Sequence, residues 1–160
     1  MARFTHLARE KDSLRILKRG IKARELGDGT RGVYAMPVLP NFFASHQWLR
    51  ELRRFRSSPL VAVDFLIDDH EGVQVGHYSA AHASMTAAEA SAVIMHAEDS
   101  RGYEVVIPRA ITPKEIAGVR HVPQVVGWRY WPEAHGTPPC PCPVCQQATF
   151  GAARIRRNET

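Results

Sequence analysis

The stretch LVAVDFLI, residues 60–67, constrains the fold more than any other part of this chain. It is a near-continuous apolar run of strand length, and a strand apolar on both faces has to be covered on both. It is therefore expected at the centre of a sheet. GVQVGHYS (72–79) alternates like a neighbouring strand, and a hairpin through DDHEG is expected to join the two. RFTHLA (3–8), VYAMPV (33–38, interrupted by Pro37 and then Pro40) and YEVVIP (103–108) supply further strands.

Helical signals separate them. KDSLRILKRG (11–20) puts Leu14, Ile16 and Leu17 on or near one stripe and ends in Gly20, a helix stop. ELGDGTRG (25–32) is a Gly-rich turn. In NFFASHQWLRELRRF (41–55), Asn41 is placed to cap a helix. Phe42, Ser45, Trp48, Leu49 and Leu52 recur at three- and four-residue intervals, and Arg50, Arg53 and Arg54 take the wet face. MTAAEASAVIMHA (85–97) is Ala-rich with Thr86 as cap, and TPKEI (112–116) opens like a helical turn with Thr112 as cap and Pro113 first inside it. Strands interspersed with short helices make the expected class α+β.

At 160 residues the chain can bury one core, with a smaller piece appended at one end. The expected division is a domain over 1–132 and a Cys-rich extension with a basic tail over 133–160. Apolar content of 44% and charged content of 23% are those of a globular protein. No run approaches the ~18 apolar residues of a membrane helix, so no membrane partner is expected. The opening MARFTHLAREKD lacks the apolar core of a secretory signal, which leads to the expectation of a reducing cytoplasm. A net charge of +5 suits an anionic partner, such as nucleic acid or a phosphate-bearing cofactor.

All three cysteines fall in HGTPPCPCPVC, at C-x-C-x2-C spacing with His135 five residues before Cys140. In a reducing compartment a disulfide is disfavoured. Prolines stiffen the segment, and three thiolates with one imidazole make a closed, tetrahedral structural zinc site. The expected ligands are Cys140, Cys142, Cys145 and His135, with His121 an alternative fourth. Free thiols on a Pro-rich tail are the competing reading. A closed site leaves no position for a reacting water, so its role would be to fasten the extension.

Three stretches bear on chemistry: FTHLA around His6, RGVYAMP around Tyr34 and GYEVVIP around Glu104. Singly, each has an ordinary explanation as core, packing or solvated residue. Their order and surroundings resemble the ADP-ribosyltransferase fold of the His-Tyr-Glu class. There a first-strand His precedes a helix ending in Gly, a second strand offers an aromatic after Gly, and a late strand opens with the catalytic Glu. THLAREKDSLRILKRGI resembles the opening module, and EVVIPRAITPKEI (104–116) is similar to a segment of the DNA-modifying members. The resemblance spans residues 3 to about 116, with little identity between motifs.

The resemblance implies a split, mainly antiparallel sheet with peripheral helices, and NAD as substrate. It implies that His6 hydrogen-bonds the adenosine-side ribose, that Tyr34 stacks on nicotinamide, and that Glu104 holds the 2′-hydroxyl of the other ribose. The acceptor would be DNA, RNA or protein. The chain departs from the family at Gly102, where arginine-modifying members carry a second Glu, and at Ala8, where a Thr or Ser is common. Two rivals are an RNA 2′-phosphotransferase using NAD and a non-enzymatic, zinc-stapled nucleic-acid-binding module. The loop GHYSAAH (76–82) receives no catalytic role at this level. His46 and His96 are expected in surface or capping positions.

Overall fold

The computed structural model describes residues 1–53 and 57–127. Among these residues the strands are β1 (Ala2–Arg9), β2 (Arg24–Glu25), β3 (Arg31–Pro37), β4 (Leu60–Ile67), β5 (Gly72–His77), β6 (Ala83–Thr86), β7 (Tyr103–Ile107) and β8 (Ile116–His121). The helices are α1 (Ser13–Arg19), α2 (Phe42–His46), α3 (Leu49–Arg53) and α4 (Ala87–His96). The strands form one sheet in the order β6-β5-β7-β3-β1-β4-β8, with β2 beside β3, and every pairing is antiparallel. The class is α+β with a mainly antiparallel sheet.

The apolar run 60–67 has a direct structural cause. Val61, Val63, Phe65 and Ile67 of β4 point into the main core, while Leu60 and Ala62 join Leu49 and Val122 in a second cluster on the opposite face. β1 and β8 occupy the two edges of β4. The expected hairpin to β5 is therefore not formed: with both edges of β4 taken, residues 68–71 carry the chain away, and β5 pairs with β6 and β7. The main core packs Phe4 against Phe65 with ring centroids 6.2 Å apart. Over it lies α4, through Ala87, Ala90 and Ile94. Small Ala side chains let that helix approach the sheet closely, and Thr86 with Glu89 forms a reciprocal capping box at its start.

The segment 41–55 departs from one amphipathic helix. Asn41 caps α2 as expected, but the helix stops at His46 and α3 begins at Leu49. The Gln47 side chain explains the interruption. Its amide donates to the Ser100 carbonyl at 2.9 Å and its oxygen accepts the Gly102 N–H at 2.8 Å, which ties the junction to the start of β7. The segment 126–127 covers the Gln47 backbone, and the Arg50 N–H turns to the Val126 carbonyl at 3.0 Å. Arg50 and Glu51 are buried, so the expected wet face is partly an inner one, and Phe42 is among the exposed residues. Arg54 lies outside the described residues.

α1 ends at Gly20 as expected, but only Ile16 is buried while Leu14 and Leu17 are exposed. The 112–116 turn is a short 3-10 helix, Pro113–Glu115, with Thr112 and Glu115 as capping box. The zinc set Cys140, Cys142, Cys145 and His135 and the boundary at 132/133 lie outside the described residues. His121 is exposed, with Nδ1 3.4 Å from Glu10. No helix among the described residues is long and apolar enough to cross a membrane.

Candidate functional site

β1 and β3 pair at Phe4–Pro37 and Thr5–Met36 only. Beyond that point β1 stays with β4 as far as Arg9, and β3 stays with β7. The backbone ladder between β1 and β3 stops at His6, whose ring takes the Tyr34 carbonyl at 2.7 Å through Nδ1. A carbonyl only accepts, so Nδ1 carries the proton and, in the neutral ring, Nε2 is the acceptor. Next to this parting lies a cleft of about 1250 Å³, lined by β1 residues from Thr5 to Arg9, by β3 residues from Arg31 to Met36, and by Glu104. The cleft thus brings together His6, Tyr34 and Glu104 from three different strands.

Tyr34 alternates out of the sheet between buried Val33 and Ala35 and is 43% exposed. Burial of its hydroxyl, with smaller contributions from the charges of Glu104 and Asp28, raises its pKa above the ordinary phenol value. It presents a neutral ring to the cleft. Glu104 opens β7, where its position is set on one side by the β3 register (Ala35 opposite Val105) and on the other by Gly76 directly opposite on β5. Its side chain is 17% exposed. Burial pushes the carboxyl up to about 7, because a carboxylate in this wall gives up hydration. At neutral pH it therefore divides between acid and base forms, which suits a group that takes a proton during reaction.

The other end of the cleft is basic. In the β2–β3 pairing Arg24 stands opposite Gly32 and Arg31 opposite Glu25, Lys22 precedes them, and Arg9 and Arg15 share Asp12 at 2.7 and 3.2 Å. That end attracts an anion, while the Glu104 end offers a weakly hydrated carboxyl.

Two departures from the family pattern have structural counterparts. Gly102 has φ +81°, and a β-carbon there would lie 2.3 Å from Nε2 of His77. A side chain at this position is strained by the backbone and would have to displace the His77 ring. Ala8 is buried against the cleft, and no hydroxyl stands there.

The hairpin loop between β5 and β6, to which the sequence assigns no catalytic role, lies against the cleft. Tyr78 and Ser79 line the cleft, and the loop returns His82 to within 3.1 Å of the Glu104 carboxylate. The sequence carries one signal for this, a Gly in the middle of the alternating run GVQVGH, where a bulge or a close approach is the usual cause. His46, expected in a surface or capping position, is capping but buried. Its Nδ1–H donates to the Phe42 carbonyl at 2.8 Å, and its Nε2 lies 3.1 Å from Arg120. Burial, then the neighbouring Arg120 charge, hold its pKa below the ordinary imidazole value. His96 caps α4 through Nδ1 and the Ala92 carbonyl. No family model, no curated protein and no solved structure matches this chain.

Proposed function

We propose that this chain transfers ADP-ribose from NAD to an acceptor, with release of nicotinamide. One observation carries the reading: His6, Tyr34 and Glu104, remote in sequence, line one cleft large enough for a dinucleotide and basic at one end. In this reading the diphosphate lies toward the Arg and Lys side chains. His6 accepts from a ribose hydroxyl of the adenosine half through Nε2, and the Tyr34 ring stacks on nicotinamide. Glu104 accepts from the 2′-hydroxyl of the reacting ribose.

The C1′–N bond breaks with its electron pair leaving on nicotinamide, and positive charge develops on the sugar. A carboxylate aimed at that sugar stabilises the charge as it appears. The acceptor nucleophile then bonds to C1′, and its proton passes to Glu104. The basic charge of the chain favours a nucleic-acid acceptor, with a protein acceptor open; the missing acid at Gly102 argues against arginine. The setting proposed is the cytoplasm, and zinc is proposed as a structural ion on the C-terminal cysteines.

The test is nicotinamide release from NAD by wild type and Glu104→Gln, with and without DNA, RNA and cell lysate. Release should fall about 100-fold or more in the variant, the scale of losing one transition-state contact, while NAD binding persists. Equal release by both proteins would overturn the role of Glu104. No release in any mixture, with no NAD binding, would leave the nucleic-acid-binding module as the better account.

A further inference from the structure

We propose that His82 is a positioning residue for Glu104, holding its carboxylate in the ionised, cleft-facing state through a shared proton on Nε2. The function of that state rests on the ADP-ribosyl transfer reading; the contact itself does not. Three features of the site carry the inference.

The first is distance with incomplete alignment. Nε2 of His82 lies 3.1 Å from Oε1 of Glu104, yet that atom is fully buried without an aligned hydrogen-bond partner among the described residues. A buried ring nitrogen in this state is costly unless a small movement completes the bond. Catalytic pairs commonly stand slightly misaligned before substrate arrives and tighten when it binds.

The second is the way the fold makes room for the contact. Gly76 sits directly across from Glu104 on β5. A β-carbon at Gly76 would lie 3.0 Å from Cδ2 of His82 and 3.1 Å from the Ala81 carbonyl oxygen. The imidazole thus occupies the place that a side chain at 76 would take, so the chain leaves this cross-strand position empty and fills it with a donor from the loop.

The third is the absence of any other counter-charge. No Arg or Lys is paired with Glu104 among the described residues. The titratable groups around the pair are Tyr34 from β3, Asp28 from the turn before it and, in the cleft wall, Tyr78 from the same loop as His82 together with His6 and Glu51. Tyr34 is neutral and the acids oppose ionisation of Glu104. Burial alone pushes Glu104 up to about 7, which leaves it divided between the two forms at neutral pH, and a donor at 82 is the group placed to tip that balance toward the base form.

The experiment follows the Glu104 carboxyl by carbon-13 NMR across pH in wild type, His82→Phe, His82→Gln and Gly76→Val, with no NAD present. His82→Phe keeps a ring of similar size and removes the donor, and the midpoint should rise by about one pH unit or more. His82→Gln, whose amide can still donate, should move it back toward wild type. Gly76→Val keeps the imidazole but displaces it, and should raise the midpoint as His82→Phe does.

The acid limb of the pH profile for nicotinamide release should move with the midpoint, the loss appearing in kcat more than in KM. Unmoved midpoints in His82→Phe and Gly76→Val would overturn the proposal. If His82→Phe fails to fold, His82→Gln with Gly76→Val decides: equal midpoints in wild type and Gly76→Val would overturn it. A shifted midpoint without nicotinamide release would uphold the contact and reject ADP-ribosyl transfer.

Discussion

Asp64, which is buried, and Glu104, which is partly buried, are carboxylates with opposite surroundings. Asp64 on β4 is 1% exposed and is met by a two-pronged Arg120 contact, Nε to Oδ2 at 2.7 Å and a terminal nitrogen to Oδ1 at 2.8 Å, with Arg3 adding a third bond at 2.7 Å. Burial would raise its pKa, but the bonds from Arg120 and Arg3 outweigh it and hold the group below the ordinary Asp value. Glu104, on a strand two places along the sheet from β1, has one imperfect contact to an imidazole, and burial wins. Two guanidiniums make Asp64 a fixed anion with nothing left to offer a ligand. The under-served Glu104 opens on a cleft, and that combination makes it the candidate for the chemistry proposed above.

Replacing Asp64 should bring the largest change. Asp64→Asn keeps the shape but leaves Arg120 and Arg3 facing a neutral amide, and because both guanidiniums keep some contact with solvent the loss should be about 3 kcal/mol, the low end for breaking a buried pair. Urea unfolding at pH 7 measures it. A loss below about 1 kcal/mol would mean that the guanidiniums gain no more from Asp64 than from water, and the contrast with Glu104 would collapse.

The second test uses the opposite signs of the two shifts. Glu104 is raised, so its contribution to stability is fully present below the unfolded value of 4.5 and is lost as pH rises through about 7. Glu104→Gln has no such proton to lose. The variant should gain on wild type between pH 4.5 and pH 7 and level off above, by at most about 3 kcal/mol. Asp64 runs the other way: its contribution is present above 3.8 and is lost as pH falls through its lower folded value. A stability difference between wild type and Glu104→Gln that stays flat from pH 4.5 to 8 would show that Glu104 is well hydrated in the folded protein.

The same contrast explains what could be read from the sequence. β4 was legible because apolar residues on two faces leave one solution, and α4 was legible because its cap and its composition agree. His6, Tyr34 and Glu104 stand out only through the order of their motifs and the resemblance that order carries, since singly each has an ordinary explanation as core, packing or solvated residue. Arg50 shows the limit: its period matches an exposed helical face, yet it is buried, and its N–H is taken by Val126, remote in sequence. β8 carries no clean alternation, being half-exposed along its length, and the partnership of β5 depended on which edges of β4 were already taken. His82 was hidden for a related reason. Its importance lies in a space left by Gly76, and an absent side chain has no periodicity.

The smallest effect expected is also the one that sharpens the contrast most. Arg3 is half exposed and makes one bond to Asp64, whereas Arg120 grips both carboxylate oxygens. Solvent screens the Arg3 contact, and Arg3→Ala leaves the Arg120 fork intact, so the loss should be about 1 kcal/mol or less. If redundancy of donors is what makes a buried carboxylate structural, Asp64 must tolerate the loss of either outer donor better than Glu104 tolerates the loss of its single one. Urea midpoints for Arg3→Ala, set beside the Glu104 titration midpoint in His82→Phe, compare the two directly. An Arg3→Ala loss as large as that of Asp64→Asn would show that the Asp64 site has no redundancy. Donor number would then no longer separate the acid held below its ordinary pKa from the one raised above it.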